Sequence, residues 1–451
     1  MVFPKVMIAD MEEQISTDGV VSSNVQKHKT RPILMKTYKT AKSTYKVLYY
    51  EKGFVCKDDT VSPLYRSLVL DASTNSVYSY SVPKAVNWST FISDRSEINY
   101  NAVLVNEIVE GTMINLWFDP TSQMWKISTK HAVGGEYTFF RKILEDDSAI
   151  SNPEKESGFL GKYNFLRMFI DALHGPNTPP PDNQPDQDDI ASIYLHHLVE
   201  TPSHSGFFKR DCVYSFVMQH PENHLVLKIE KPQLYLTHVI RVQELEDGGT
   251  AADVTLMTER PANLPEHIAI PRIYGPGDYA SYTDIQVAAT ARGASDSVGI
   301  MVTDLSTGSR SKMVFDAYLR RKEIRGNNPN MLFQYLCLLR LHKITEFLRY
   351  FPWYKDMFNR FRKQYVTAMM NVHKAYVSRY IKRKGEVIAP QYMPHVWRIH
   401  HNVFLPSMAS GQKQIVTIDV VHDYFRNLSP IEIFYMLSYK GDKGSKTSAF
   451  V

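Results

Sequence analysis

Residues 107–118 read EIVEGTMINLWF, and the fold turns on how this stretch is read. Before it comes NAVLVNE; after it come DPTSQ and then MWKISTK. Alternation bounded by turn residues is the signature of a half-buried strand. Asp119 to Gln123 therefore supply a turn between two strands. Glu110 then lies near the start of one strand and Lys130 near the end of its partner, both at one end of a hairpin.

Working outward, residues 36–130 read as hairpin-rich sheet: TYKVLYYEKGFVCKDD, YRSLVLDASTNSVYSYSVPKAVNW and the hairpin itself. EYTFFRKILEDD (136–147) and KYNFLRMFIDALHG (162–175) space their apolar residues by three and four, the period of a helix. GPNTPPPDNQPDQDD, residues 175–189, is rich in proline and acid and lacks apolar residues, so it reads as an exposed insertion or linker. Sheet signals resume in DCVYSFVMQHPENHLVLKIEKPQLYLTHVIRVQEL and in SVGIMVTDLSTGSRSKMVF, with STGS as a turn. Beyond about residue 320 helical periodicity takes over, in MLFQYLCLLRLHKITEFLRYF and WYKDMFNRFRKQYVTAMMNVHKAYVSRYIKRK, separated by Pro352. The expected class is α+β. It comprises an extension at 1–35, a domain of antiparallel sheets with helices at 36–325 carrying the 175–189 insertion, and an all-helical domain at 326–451.

The chain of 451 residues carries 52 Lys and Arg against 47 Asp and Glu, a mildly basic balance that gathers late in the sequence. Cys56, Cys212 and Cys337 lie far apart, with neither CxxC nor His/Cys ligand spacing, which argues against a zinc site or a disulfide framework and for a reducing compartment. MVFPKVMIADMEEQ lacks the basic start and apolar run of a signal peptide, and no stretch reaches the length of a membrane-spanning helix. A soluble protein with no membrane partner is expected.

Five stretches carry the chemistry: RSLVLD with SVPKAVNW, which sets Arg66 and Lys84 in strands; VEGT with Glu110 and Gly111; ISTKHAVGG with Lys130; YSFVMQHPENHLV; and SVGIMV followed by SKMVFDAY with Lys312. Their order resembles the covalent nucleotidyltransferases, within them the phage RNA-ligase-1 type and the ligase-like proteins of large nucleocytoplasmic DNA viruses. The wording EGTMIN, YSFVMQHPEN, KPQLYL and RGNNP is more similar to the viral branch. The resemblance implies a ligase (ATP-grasp-like nucleotidyltransferase) domain, ATP and magnesium as cofactors, and a lysine in K-x-D/E-G that takes AMP as a phosphoramidate, because a neutral amine is the nucleophile this chemistry needs.

Carried over position by position, Arg66 and Lys84 match the family's two basic strands, Glu110 and Gly111 match the end of K-x-D/E-G, Lys130 matches the S/T-K stretch, and Lys312 the first lysine of K-I-K-S-D-W-Y. The nucleophile's place falls on Ile108. Val217 and Val298 stand where carboxylates are expected, and Val314 where a second lysine is expected. Isoleucine has no lone pair and cannot form the adduct. The resemblance thus implies a degenerate ligase of a large DNA virus that acts in RNA binding or particle assembly, in the host cytoplasm or the virion. Two alternatives stay open: an active ATP-dependent RNA ligase whose nucleophile is a displaced lysine, and a structural capsid-associated protein that binds viral proteins.

The bland readings stand beside these. His220 in a turn is a structural histidine unless a partner positions it as a base. YLHHLVETPSHS and RIHHNV invite a metal reading, but adjacent histidines on a strand point to opposite faces, and no metal site is expected. Arg379, Lys382, Arg383 and Lys384 form either a solvated helix face or, interleaved with tyrosines, a ridge for a nucleic-acid backbone.

Overall fold

The computed structural model describes residues 33–40, 42–50, 64–93, 95, 97–135, 164–174, 190–223, 225–244, 250–291, 297–328, 330–409, 411 and 414–439. The helix expected at 136–147, the 175–189 insertion, Cys56 and most of the 1–35 extension lie outside them. The chain divides into two compact units, Met1–Lys322 and Glu323–Val451.

The first unit mixes antiparallel sheets with helices. Strands β1 (Ile33–Lys39), β2 (Thr44–Tyr50), β3 (Leu68–Asp71) and β4 (Val77–Tyr80) form an antiparallel meander. A second sheet runs in the order β10 (Thr250–Leu256), β9 (Gln233–Glu244), β8 (Cys212–Gln219), β6 (Thr112–Asp119), β7 (Met124–Ser128), with β11 (Ile268–Ala269) parallel to β9. The third holds β13 (Arg310–Val314), β12 (Gly299–Asp304) and β5 (Val103–Glu107).

The second sheet is covered on both faces, which explains the unbroken apolar run in NLWF. Leu116 and Phe118 pack against helices α1 (Phe165–His174) and α2 (Ile190–Val199), while Trp117 between them packs against Tyr45, Val47 and Leu68 of the first sheet. In β8, Tyr214 and Val213 divide in the same way. Helix α1 turns Phe165, Leu166, Met168, Phe169 and Leu173 into the core, at the three-four spacing its sequence displays. The third sheet buries Val103, Val105, Ile300 and Val302 against Tyr282 and Ile285 of helix α3 (Tyr282–Thr290), which Ser281 and Asp284 close with a capping box.

Three hairpins share one turn chemistry. In DASTN, DPTSQ and DLSTG the leading aspartate, Asp71, Asp119 or Asp304, accepts backbone N–H bonds two or three residues on. The fifth residue, Asn75, Gln123 or Gly308, adopts a left-handed φ of 59°, 56° or 70°. Aspartate folding back on its own backbone is what sets such turns. The hairpin around Asp119–Gln123 forms with Asn115 opposite Ser128 and Asp119 opposite Met124.

Four readings need correction. Arg66 sits in a bend before β3 and Lys84 in an extended segment after β4, so neither is in a strand. FVMQHPENHLVL reads in sequence as a strand, a turn and another strand, but residues 225–227 form no second strand, because their N–H groups bond to a carboxylate instead of a neighbouring strand. YLHHLV belongs to α2, and RIHHNV continues helix Met393–Ile399 into a π-helical turn, so the argument from opposite strand faces does not apply to these histidines.

In the second unit every regular element among the described residues is a helix: α4 (Met331–Arg340), α5 (Ile344–Tyr350), α6 (Lys355–Tyr376), α7 (Met393–Ile399), α8 (Ile418–Asn427) and α9 (Pro430–Ser438), with shorter turns between. Asn330 caps α4, and Ser429 with Glu432 caps α9. His342 at φ 56° ends the first helical run, and Pro352 opens a 3-10 turn after α5. Phe347, Phe351 and Phe358 stack in its core. No helix among the described residues is long and apolar enough to cross a membrane.

Candidate anion-binding site

The stretch 107–112 is where the chain leaves the third sheet and enters the second. Ile108 holds the first side by donating its N–H to the carbonyl of Gly299 at 2.8 Å. Gly111 holds the other: a Cβ there would stand 2.5 Å from the Met218 carbonyl oxygen and 2.7 Å from Val217 Cγ1. Only glycine permits β6 and β8 to close at this point. Gly299 is confined in the same way, its missing Cβ directed at the Met313 carbonyl and 2.8 Å from Val314 Cα. Ile108, Val298 and Val314 thus stand at neighbouring strand ends of the third sheet, with the Val298 carbonyl accepting the N–H of Phe315, while Val217 lies in the second sheet, paired with Met113 and against Gly111.

Glu110 is buried and fully engaged. Its Oε1 accepts the N–H groups of Leu225 at 3.0 Å and Val226 at 2.7 Å, and its Oε2 accepts that of Leu227 at 3.0 Å. Tyr318 lies close enough that, beyond the effect of its own burial, the carboxylate raises its hydroxyl further. Glu110 thus anchors the loop after β8. His220 in the same loop finds the partner the sequence did not reveal: Asp171 Oδ2 stands 3.5 Å from its Nε2, and Arg167 holds the other carboxylate oxygen at 2.9 Å. His220 Nδ1 accepts the N–H of Glu222, so the ring ties this loop to α1.

Beyond the strand ends lies a group of cations. Lys130 Nζ stands 4.0 Å from the centre of the Tyr50 ring, and Lys84 Nζ 5.9 Å from it. Arg310, only 6% exposed, donates from Nε and Nη2 to the Pro83 carbonyl and from Nη2 to that of Val82. Burial, and next the neighbouring Arg66, push Arg310 down to about 9. Burial lowers Arg66 as well, with Tyr50 opposing. The imidazole of His238 is held far below its ordinary range by burial and by the same two arginines. Among the described residues no carboxylate pairs with Arg66, Lys84 or Arg310. The hydroxyl of Tyr80, 2% exposed and in the field of Arg310, has no hydrogen-bond partner among the described residues.

Two desolvated guanidinium groups, two ammonium groups around one aromatic ring and an orphaned hydroxyl donor form an arrangement that an anion completes. An oxyanion relieves the repulsion between neighbouring guanidinium groups. The structure therefore brings Arg66, Lys84 and Lys130 into one neighbourhood. Lys312, two residues along β13 from Arg310, is exposed. Sequence reading passed over Arg310, Tyr50, Tyr80 and His238. The one available signal was Arg310 itself, a second cation on the strand that carries Lys312.

The magnesium implied by the sequence resemblance finds no matching donors here. Glu110 is spent on three peptide N–H groups, Val217 and Val298 bring no oxygen, and no group of three His, Cys, Asp or Glu among the described residues is placed to hold an ion.

In the second unit, Arg379, Lys382, Arg383 and Lys384 line the end of α6, a π-helical turn (Val377–Ile381) and the loop after it, all exposed. Arg383 has φ 50°, and Ser378 and Glu386 close the loop with a 2.6 Å hydrogen bond. This bond, then Lys384, Lys374 and Lys382, lowers the Glu386 carboxyl. Beside it runs an aromatic stack: Tyr380 on His400 at 3.7 Å and 6°, and Trp397 on His401 at 4.0 Å and 18°.

No family model matches the chain, and no curated protein is similar to it. Among solved structures it is similar to an archaeal ATP-dependent RNA ligase at 12% identity and TM-score 0.36, over 93% of this chain and 88% of that one. A putative ATP-dependent DNA ligase from Aquifex aeolicus stands at 14% and 0.36, over 79% of this chain and 80% of that one. An RNA ligase of Naegleria gruberi stands at 9% and 0.27, over 63% and 88%. Likenesses at such scores are too remote to say what this chain does.

Proposed function

We propose that the chain is a ligase-like nucleotidyltransferase-fold protein of a large DNA virus that no longer forms a lysyl adduct, holds a polyphosphate such as ATP among its cations, and grips RNA through its helical unit in the service of particle assembly. One observation carries the reading. Ile108 occupies the strand crossing beside Gly299 and Gly111, where the motif resemblance places the nucleophile, while Arg66, Lys84, Lys130 and Arg310 still gather around Tyr50 and Tyr80. A site stripped of nucleophile and metal ligands but rich in cations binds an anion without turning it over.

A second reading, an active ligase, draws on Lys130 and Lys84 standing over one ring within that group. The experiment that separates the two is incubation with α-labelled ATP and magnesium or manganese, scored for a denaturation-resistant, acid-labile label. The expected result is no label, together with a rise in unfolding temperature on adding ATP or inorganic triphosphate. That rise disappears in Arg310→Met. A covalent label overturns the proposal, and peptide mapping to Lys84, Lys130 or Lys312 identifies the nucleophile.

A further inference from the structure

The second unit contains a groove of about 650 Å³ between the end of α4, helix α8 and the start of α9. Its floor is apolar, with Leu336, Leu339 and Phe425 among its residues, and its rim carries Arg340, His422 and Arg426. Among the described residues no Asp or Glu lines it. The size falls within the roughly 300–1,000 Å³ of specific binding clefts. Arg340 spans one end, donating from Nη1 to the backbone carbonyl of Arg426, so the two helix ends are tied and the groove is formed before anything enters it. Outside the lining, the exposed Asp423 stands 3.7 Å from Arg426 and 3.9 Å from His422, loose surface pairs of small worth that a closer carboxylate can displace.

We infer that this groove docks an acidic amphipathic helix of a partner protein, whose apolar side chains enter the floor while its carboxylates meet Arg340 and Arg426. Charge complementarity selects the sign of the partner: a rim of Arg340, His422 and Arg426, with Asp423 alone against it outside the lining, disfavours a basic helix and steers an acidic one. The form of the partner is set by the fold. Among its described residues this unit has no strand edge to which an extended peptide could add, whereas a cleft between helices accepts anchors at helical spacing. The surface is separate from the cations around Tyr50 and does not depend on whether that site binds an anion.

The test uses the full chain and a fluorescein-labelled designed peptide of about 15 residues, long enough to be helical, with leucines on one face and glutamates on the flanks. Its control replaces every glutamate with lysine. Fluorescence anisotropy is expected to show saturable binding of the acidic peptide and at least about tenfold weaker binding of the basic one. Arg426→Glu, an exposed side chain whose backbone carbonyl still serves Arg340, and Leu339→Glu, which charges the floor, are each expected to weaken the acidic peptide by a similar factor. Should Leu339→Glu fail to fold, Arg426→Glu alone decides. Equal binding of the two peptides, no binding of the acidic one, or affinity unchanged in Arg426→Glu overturns the inference.

Discussion

The carboxylate of Glu110 accepts the N–H of Val226 at 2.7 Å, joining residues 116 positions apart. With Leu225 and Leu227 it fastens a loop that would otherwise expose three unpaired donors beside β8. Replacing Glu110 by alanine strands these groups, at a cost on the order of 3 kcal/mol. Glutamine keeps an acceptor oxygen and loses about half of that. Urea unfolding of the two variants checks the ordering; an alanine variant as stable as the parent would show that the loop is held by something else.

Restoring the amine is not enough. Ile108→Lys is expected to give no adenylate adduct with labelled ATP, because Val217, Val298 and Val314 still bring no group that positions metal or phosphate, and Glu110 remains committed to its loop. Appearance of a labelled band in this single variant would mean that the cations around Tyr50 suffice.

Acid weakens the shared hairpin turn in a defined window. Burial raises the Asp71 carboxyl, but the Ser73 hydroxyl and the N–H groups of Thr74 and Ser73 outweigh it and hold the group down to about 2. In the unfolded chain it titrates near the ordinary value of about 3.9. A carboxyl lowered in the folded state contributes stability that is fully present above its unfolded pKa and is lost as pH falls through its folded one. Between about pH 4 and pH 2, Asp71→Asn should therefore lose less stability than the parent. Thermal unfolding at several acidic pH values measures this, and parallel curves for the two proteins would remove Asp71 from the account.

Much of the sheet was legible because its causes are local. DASTN, DPTSQ and DLSTG set their own turns through an aspartate and a left-handed fifth residue, and the apolar runs in LWF and CVYSF mark strands that are covered on both faces. Residues 225–227 were misread for a complementary reason: their backbone partner is a side chain 115 to 117 residues away, which no local pattern records. The candidate site was legible only in part. Arg66, Lys84 and Lys130 were named from motif order, but Arg310 and His238 join them through the packing of separate sheets. A buried arginine without a carboxylate cannot be told from a solvated one by its neighbours in sequence. His220 likewise gains Asp171 only when α1 is laid against the loop.

The ridge of the helical unit makes its own prediction. Trp397 is 52% exposed while its ring stacks on His401, so it can present an aromatic face to a base without being needed in the core. Arg379, Lys382, Arg383 and Lys384 stand in the loop that closes beside the Tyr380–His400 stack. On single-stranded RNA, Trp397→Ala should weaken binding by about 1–3 kcal/mol with little change in salt dependence, since it removes stacking and no charge. Changing Lys382 and Lys384 together to alanine should instead flatten the dependence of log K on log salt by about 1.4, roughly 0.7 for each phosphate of a single strand that is no longer neutralised. Filter binding across a salt series separates the two effects. If both variants match the parent at every salt concentration, RNA is held elsewhere or not at all, and the ridge returns to being a solvated helix face.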